Sequence, residues 1–332
     1  MTRIESIEAW LRSQLGGESF TLAPASADAS FRRYFRATTS RSTHIVMDAP
    51  PEHEDCRPFV KVAGLLRAAG LNAPAVVAQD LVHGFLLLTD LGTVTYLTAL
   101  NQDRGRARSL FMDAIGALIR WQLASKPDVL PAYDAALLRR ELNLFPEWYL
   151  GRHLGVALSG SQRDDLERTF ALIIASNLAQ PAVYVHRDYM PRNLMVSEPN
   201  PGILDFQDAV YGPITYDVAS LFKDAFISWE EEQVLDWTVR YWEQAKRAHL
   251  PVAADFGAFY RDFEWMGLQR HLKVLGIFAR LFYRDGKQGY LDDTPRFLGY
   301  VRAVAQRYAA LQPLLALLDQ VENKPAQMGY TF

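Results

Sequence analysis

Polar residues that could hold a metal ion and a phosphate group lie close together between two apolar runs of the sequence. His186 and Asp188 follow the first run, Asn193 comes five positions after the aspartate, and Asp205 ends the second run. Carboxylate and amide oxygens bind hard cations such as Mg²⁺ alongside substrate phosphates, so Asn193 and Asp205 are candidate ligands. Asp188 would remain available to accept a proton from an attacking hydroxyl.

The order of these residues is that of a kinase catalytic loop. Protein kinases carry a His-Arg-Asp sequence with an asparagine downstream, followed by a metal-binding aspartate. Here His186-Arg187-Asp188 and Asn193 keep that order, and Asp205 takes the place of the metal-binding aspartate within "LDFQD". The alternative is a surface loop of solvated charges, which the matching order of four polar residues between two strands disfavours.

Two short strands are expected to position this loop. The sequences "VYVH" and "GILDF" have strand-like apolar patterns, and "SEPNPG" at 197–202 has the composition of a turn. If the two strands pair as a hairpin around this turn, Asp188, Asn193 and Asp205 converge. The sequence therefore predicts that the two candidate ligands and the candidate base share one site.

The rest of the chain changes character near residue 90. Residues 3–15 predict an amphipathic helix, and the chain up to about residue 90 contains five strand-like runs and one further helical stretch. Beyond Gly92, helices are predicted over 93–100, 104–124, 134–151, 161–178, 215–227, 230–249, 254–283 and 294–319. This pattern predicts an α+β organisation, with a small β-rich N-lobe over 1–90 and a larger helical C-lobe over 91–332.

Composition excludes several classes of protein. The 332 residues are 49% hydrophobic and 22% charged, as in an ordinary globular chain, and a net charge of −3 argues against nucleic acid or an anionic membrane as partner. The single cysteine, Cys56, excludes a disulfide framework and fits a reducing cytoplasm. We expect no signal peptide and, because no apolar run reaches about 18 residues, no transmembrane helix.

Three motifs indicate a family. The sequence has His-x-Asp-x4-Asn from His186 to Asn193, Asp205 with Asp208, and Tyr-Asp-Val-Ala around Asp217. In these motifs the chain resembles the aminoglycoside-phosphotransferase and choline-kinase-like family of small-molecule kinases. The resemblance implies a protein-kinase-like bilobal fold and the use of ATP and Mg²⁺. It also implies Asp188 as the base, Asn193 and Asp205 as Mg²⁺ ligands, and His186 and Asp217 as structural anchors of the catalytic loop.

Longer stretches indicate the substrate. "ADASFRRYFR", "ELNLFPEWYLGRHLG" and "YRDGKQGYLDDTPRFL" resemble bacterial kinases of this family that phosphorylate the anomeric hydroxyl of N-acetylmuramate or N-acetylglucosamine for cell-wall recycling. We expect sugar contacts from Glu147, from Asp208, whose alternative is the metal shell, and from Arg284, because a lactyl carboxylate suits a bidentate arginine. The alternative for Arg284 is a basic helix C-terminus, which the helix dipole favours. The alternatives are a kinase for an aminoglycoside, choline or an amino alcohol, and a nucleotide-binding module without turnover.

The small-lobe lysine that pairs with nucleotide phosphates in this family is missing. Its place falls at Met47 or Asp48 in "THIVMDAPP". In "SFRRYFR" the alternation of a strand puts Arg33 on an apolar face with Phe31, so we expect Arg33 to point into the cleft between the lobes. The alternative is an exposed sheet face with solvated arginines. Backbone N–H groups of Ser30 and Phe31 are expected to cover the phosphates.

The segment "LLLTDLG", residues 86–92, is expected to join the two lobes. The family resemblance implies that backbone atoms of Thr89, Asp90 and Leu91 bind the adenine of ATP. The alternative is a core strand followed by the capped start of a helix. Both descriptions can hold for one segment.

Overall fold

The computed structural model describes residues 2–27 and 31–322, so Ser30 lies outside the described residues. The chain forms two compact units, of which the first comprises Met1–Ala124 with Pro191–Ala209 and the second Ser125–Met190 with Val210–Phe332. Residues 91–124, which the sequence assigns to the helical lobe, thus belong to the unit that contains the sheet. Within the described residues, no helix is both long and apolar enough to cross a membrane.

Helices and strands account for most of the described residues. The helices are α1 (Arg3–Gln14), α2 (Cys56–Ala68), α3 (Tyr96–Gln102), α4 (Ala107–Leu123), α5 (Ala135–Leu142), α6 (Gly160–Leu178), α7 (Tyr216–Phe222), α8 (Glu231–Arg247), α9 (Phe256–Tyr283), α10 (Thr294–Arg307) and α11 (Gln312–Val321). The strands are β1 (Thr21–Ala27), β2 (Arg33–Thr38), β3 (Thr43–Asp48), β4 (Val76–Asp80), β5 (Phe85–Thr89), β6 (Ala182–Val185), β7 (Leu194–Met195), β8 (Gly202–Ile203) and β9 (Val210–Pro213).

An antiparallel sheet with the order β1-β2-β3-β5-β4 organises the first unit. One face of the sheet packs against α1 through a buried cluster that includes Ile7, Leu11, Val46 and Leu87. Because neighbouring residues of a strand point to opposite faces, the residues between those of the packed face point the other way. Helix α1 therefore determines which face of the sheet is left for a ligand.

A single long helix, α9, forms the centre of the second unit. Its apolar residues join an extensive buried cluster with residues of α6, α10 and α11, including Phe170, Leu272, Phe278 and Leu318. Two predicted helices are each divided in the structure. Residues 134–151 form α5 and then a π-helical segment, Phe145–His153, and residues 294–319 form α10 and then α11. A proline lies in the first turn of each second part, where its missing N–H would have no partner in the helix in any case.

The predicted hairpin between "VYVH" and "GILDF" is wrong. Strand β6 pairs antiparallel with β9 in the second unit, whereas β8 pairs with β7 in the first. The run Leu194–Met195 is only two residues long, yet it directly precedes the 197–202 turn. A short loop closes at a lower entropic cost than a long one, so the nearer run becomes the partner of β8.

Candidate active site

A cavity of about 410 Å³ opens in the first unit, within the size range of small-molecule sites. Its walls include Tyr34, Arg36 and Ile45 of the sheet, then Thr89, Asp90 and Leu91, and finally Arg192, Asn193 and Asp205. The three predicted nucleotide contacts of segment 86–92 thus line the same cavity as the two predicted metal ligands. Their roles toward adenine and metal stay predictions.

The β7–β8 ladder brings the two candidate metal ligands together. Asn193 ends the short turn before β7, and Asp205 follows β8 closely. The Nδ2 of Asn193 donates to Oδ2 of Asp205 at 3.2 Å, and Gln207 Nε2 donates to the other carboxylate oxygen at 2.9 Å. An adjacent carboxylate and amide are oxygen donors of the type that Mg²⁺ prefers, so this pair fits a magnesium site.

Two arginines lie at or beside the cavity, because Arg36 lines it and Arg32 is close to Asp205, which also lines it. Arg36 binds the Asp90 carboxylate in a bidentate manner, with Nε–Oδ2 and Nη2–Oδ1 distances of 2.6 and 3.1 Å, and also donates to the Gly92 carbonyl at 2.9 Å. Burial would raise the pKa of Asp90, but hydrogen bonds from Arg36 and Gly92 outweigh it and lower that pKa. Arg32 places its Nη2 at 3.9 Å from Oδ1 of Asp205, so a cation lies beside a candidate metal ligand.

The expectation that Arg33 points toward the nucleotide is wrong. Arg33 lies on the face of β2 opposite to Arg36, where its Nε donates to Asp48 at 2.9 Å. Asp48 is fully buried and also accepts a hydrogen bond from Arg3 at 2.7 Å. The physical reason is that the apolar face of β2 packs against α1, so the polar face is the one that lines the cavity.

Phe31, which precedes β2 and is predicted with Ser30 to cover the phosphates, points its side chain outward. The ring is 63% exposed and stacks on His53 with 4.4 Å between the centroids. The predicted contact between its backbone N–H and a phosphate remains a prediction. The same prediction for Ser30 falls outside the described residues.

In the second unit, a buried carboxylate holds the loop that follows β6. Asp217, near the start of α7, is completely buried and accepts hydrogen bonds from the backbone N–H groups of His186 and Arg187 at 2.7 and 3.0 Å. Burial raises the pKa of Asp217 to about 7, although both backbone donors act to lower it. This geometry is the one that an anchor of the loop requires, and it fixes the backbone directly before Asp188.

A buried ion cluster beside this loop was not predicted from the sequence. Glu141 of α5 contacts Arg187 at 2.6 Å and Lys273 at 3.1 Å. The available signal was its position, because Glu141 shares the buried face of α5 with Leu138 and Leu142. A charged residue on the apolar face of a helix requires a partner, but the sequence does not show which one.

The three predicted sugar contacts are exposed and are divided between the two units. Asp208 belongs to the first unit, whereas Glu147 and Arg284 belong to the second. Arg284 follows α9 and pairs with the neighbouring Asp285, with two N–O distances of 2.7 and 2.9 Å. Burial and the nearby Arg284 lower the pKa of Arg280, while Asp285 and Glu147 act to raise it. Sugar binding by these residues stays a prediction.

Similarity to known proteins extends over nearly the whole chain. Three proteins named N-acetylmuramate/N-acetylglucosamine kinase are at least 50% identical to this chain. The protein of Pseudomonas aeruginosa is 58% identical, covering 90% of this chain and 89% of the relative. That of Pseudomonas putida is 52% identical, covering 96% and 97%. The protein of Neisseria meningitidis is 50% identical over the full length of both chains.

Solved structures confirm the predicted protein-kinase-like α+β fold. The choline kinase LicA of Streptococcus pneumoniae superposes with a TM-score of 0.63 at 12% identity, covering 91% of this chain and 100% of the other. A thermostable mutant of aminoglycoside phosphotransferase APH(4)-Ia gives 0.59 at 15% identity, covering 91% and 99%. The model of the phosphotransferase enzyme family matches residues 21–256. With its sequence, its fold and its loop motifs in agreement, the chain belongs to the phosphotransferase enzyme family.

Proposed function

We propose that this protein is an ATP-dependent kinase of N-acetylmuramate and N-acetylglucosamine, and that it phosphorylates the anomeric hydroxyl. The observation that carries the proposal is 50–58% identity to three relatives of that name over 89% or more of each chain. The product is a sugar 1-phosphate, which feeds the recycling of cell-wall precursors. The reaction takes place in the cytoplasm, which fits a chain with a single cysteine.

The catalytic roles follow from the chemistry of the loop residues. Asp188 orients the acceptor hydroxyl and accepts its proton as the new bond to phosphorus forms, with ADP as the leaving group. Asn193 and Asp205 hold Mg²⁺, which supplies charge neutralisation at the nucleotide phosphates. Asp217 supports the reaction indirectly, because its two hydrogen bonds fix the loop backbone directly before Asp188.

The cavity of the first unit binds the nucleotide. Backbone atoms of Thr89, Asp90 and Leu91 contact adenine, and the Arg36–Asp90 pair keeps that segment in place. Arg32 supplies the positive charge that the missing lysine would otherwise supply to the phosphates. Its position 3.9 Å from Asp205 supports this role, because stabilisation of phosphoryl charge requires cations near the metal ligand.

Phosphorus NMR of the purified protein with Mg-ATP tests the reaction. N-acetylmuramate, N-acetylglucosamine, kanamycin and choline are offered separately as acceptors. A new resonance coupled to an anomeric proton, seen only with the two N-acetyl sugars, is the expected result. The methyl glycoside of N-acetylglucosamine, which is blocked at C1, is the matched control and should not react.

The outcomes separate the alternatives. Transfer to the methyl glycoside would move phosphorylation to another hydroxyl. Transfer only to kanamycin or choline would keep the assignment as a kinase but exclude N-acetylmuramate and N-acetylglucosamine as its substrates. Nucleotide binding without transfer to any acceptor would favour a binding module, which has no use for Asp188 as a base.

A further inference from the structure

Arg187, directly before Asp188, has a backbone conformation that ordinarily favours glycine. Its φ is +77°, in a region that a side chain makes unfavourable. Hydrogen bonds from the N–H groups of His186 and Arg187 to Asp217 hold this backbone. A glycine would make the same backbone bonds, so the backbone alone does not account for an arginine here.

The side chain of Arg187 reaches a buried carboxylate. Its Nη2 donates to Oε1 of Glu141 at 2.6 Å. The Nζ of Lys273 lies 3.1 Å from the same oxygen, and Gln269 Nε2 and the Tyr133 hydroxyl donate to the other oxygen. Through these contacts Glu141 links the catalytic loop to α5 and α9. It is only 4% exposed, so the link is shielded from water.

Opposite charges strengthen the contact between Glu141 and the catalytic loop. Burial would raise the pKa of Glu141, but Lys273 and Arg187 outweigh it and lower the pKa to about 2. The carboxylate is therefore ionised at neutral pH, and a buried pair is screened much less by salt than a surface pair. Because Arg187 and Asp188 are consecutive, fixing the guanidinium restrains the backbone from which the Asp188 side chain extends.

We propose that Glu141 and Arg187 are positioning residues, which hold the Asp188 carboxylate in line with the acceptor hydroxyl. The proposal rests on the proposed role of Asp188 as the base. It explains why an arginine occupies a strained position, since backbone strain persists at sites where surrounding contacts over-determine a functional geometry. The positioning is independent of which sugar provides the hydroxyl.

Arg187→Gly tests this role directly, because it removes the guanidinium and relieves the backbone. We expect kcat to fall roughly 10- to 100-fold, since a misplacement of about 1 Å costs that much, while the KM for ATP changes by less than about twofold. Arg187→Lys retains a cation near Glu141 and should recover part of kcat. A purely structural role would instead appear as a lower melting temperature with kcat unchanged.

The chain offers a matched control. Glu264 of α9 is also a buried glutamate paired with an arginine, Arg307. Glu141→Gln and Glu264→Gln should both lower the melting temperature, but only Glu141→Gln should lower kcat. Because the two residues act as a pair, Arg187→Gly combined with Glu141→Gln should be no slower than the slower single variant.

Other outcomes of these experiments would contradict either the positioning role or the proposed function. Unchanged kcat in Arg187→Gly, an equal loss of kcat in Glu264→Gln, or additive losses in the double variant would overturn the positioning role while leaving the kinase assignment intact. A wild-type protein that transfers phosphate to none of the offered acceptors, water included, would refute the proposed function, and the positioning role with it.

Discussion

The burial of Asp217 makes the stability of the protein depend on pH. Burial raises the pKa of this carboxyl from 3.8 to about 7, although the N–H groups of His186 and Arg187 favour its ionised form. Between these two values, the folded protein keeps a proton that the unfolded chain has released. The free energy of unfolding therefore falls as the pH rises through this range and levels off above pH 7.

The size of this fall follows from the two pKa values. With 3.8 for the unfolded chain and about 7 for the folded protein, linkage gives a loss of roughly 2 to 3 kcal/mol between pH 5 and pH 8. Asp217→Asn cannot titrate, so the difference between wild type and variant isolates this carboxyl from the other ionisable groups. Urea unfolding followed by tryptophan fluorescence at each pH unit measures that difference.

One result would refute the reasoning. If the difference in unfolding free energy stayed constant within about 0.5 kcal/mol from pH 5 to pH 8, Asp217 would be ionised in the folded protein throughout. The two backbone donors, together with the nearby Arg270, which acts to lower this pKa, would then outweigh burial. The anchor of the catalytic loop would be a charged carboxylate.

Three further predictions use single substitutions. Asp188→Asn should lower turnover roughly 100-fold or more without changing ATP affinity measured by calorimetry; retention of wild-type turnover would exclude Asp188 as the base. Arg32→Ala should raise the KM for ATP several-fold, whereas Arg33→Ala on the other face of the sheet should not, and equal effects would contradict the phosphate role of Arg32. Gly276→Ala should cost about 1–3 kcal/mol in urea unfolding, because the new Cβ would lie 2.3 Å from the backbone carbonyl of Leu144; unchanged stability would mean that α9 moves aside without cost.

The part of the site that the sequence predicts is the part formed by residues close together in the chain. The spacing from His186 to Asn193 follows from chemistry within one loop, and Asp205 comes soon after it. The contact of Glu141 with Lys273 joins residues that are far apart in the chain. Tertiary packing alone determines such a pair, so a glutamate on an apolar face is visible in the sequence and its partner is not.

Short strands have a similar limit. The runs Leu194–Met195 and Gly202–Ile203 contain two residues each, which is too few for an alternating pattern to be recognised. The sequence offered "VYVH" as the more evident partner for "GILDF", although β6 pairs with β9. The convergence of Asn193 and Asp205 nevertheless held, because any hairpin around the 197–202 turn brings the residues that flank it together.

The misplacement of Arg33 has a different cause. Alternation along β2 correctly separates Arg33 from Arg36, but a strand pattern does not say which of its two faces binds a ligand. An apolar face is expected to pack on a core, and here that core is formed by Ile7 and Leu11 of α1. The face with fewer apolar residues is then left to line the cavity. The sequence alone can therefore assign Arg36, together with Arg32, to the side of the cavity, because α1 must bury its own apolar face against the sheet.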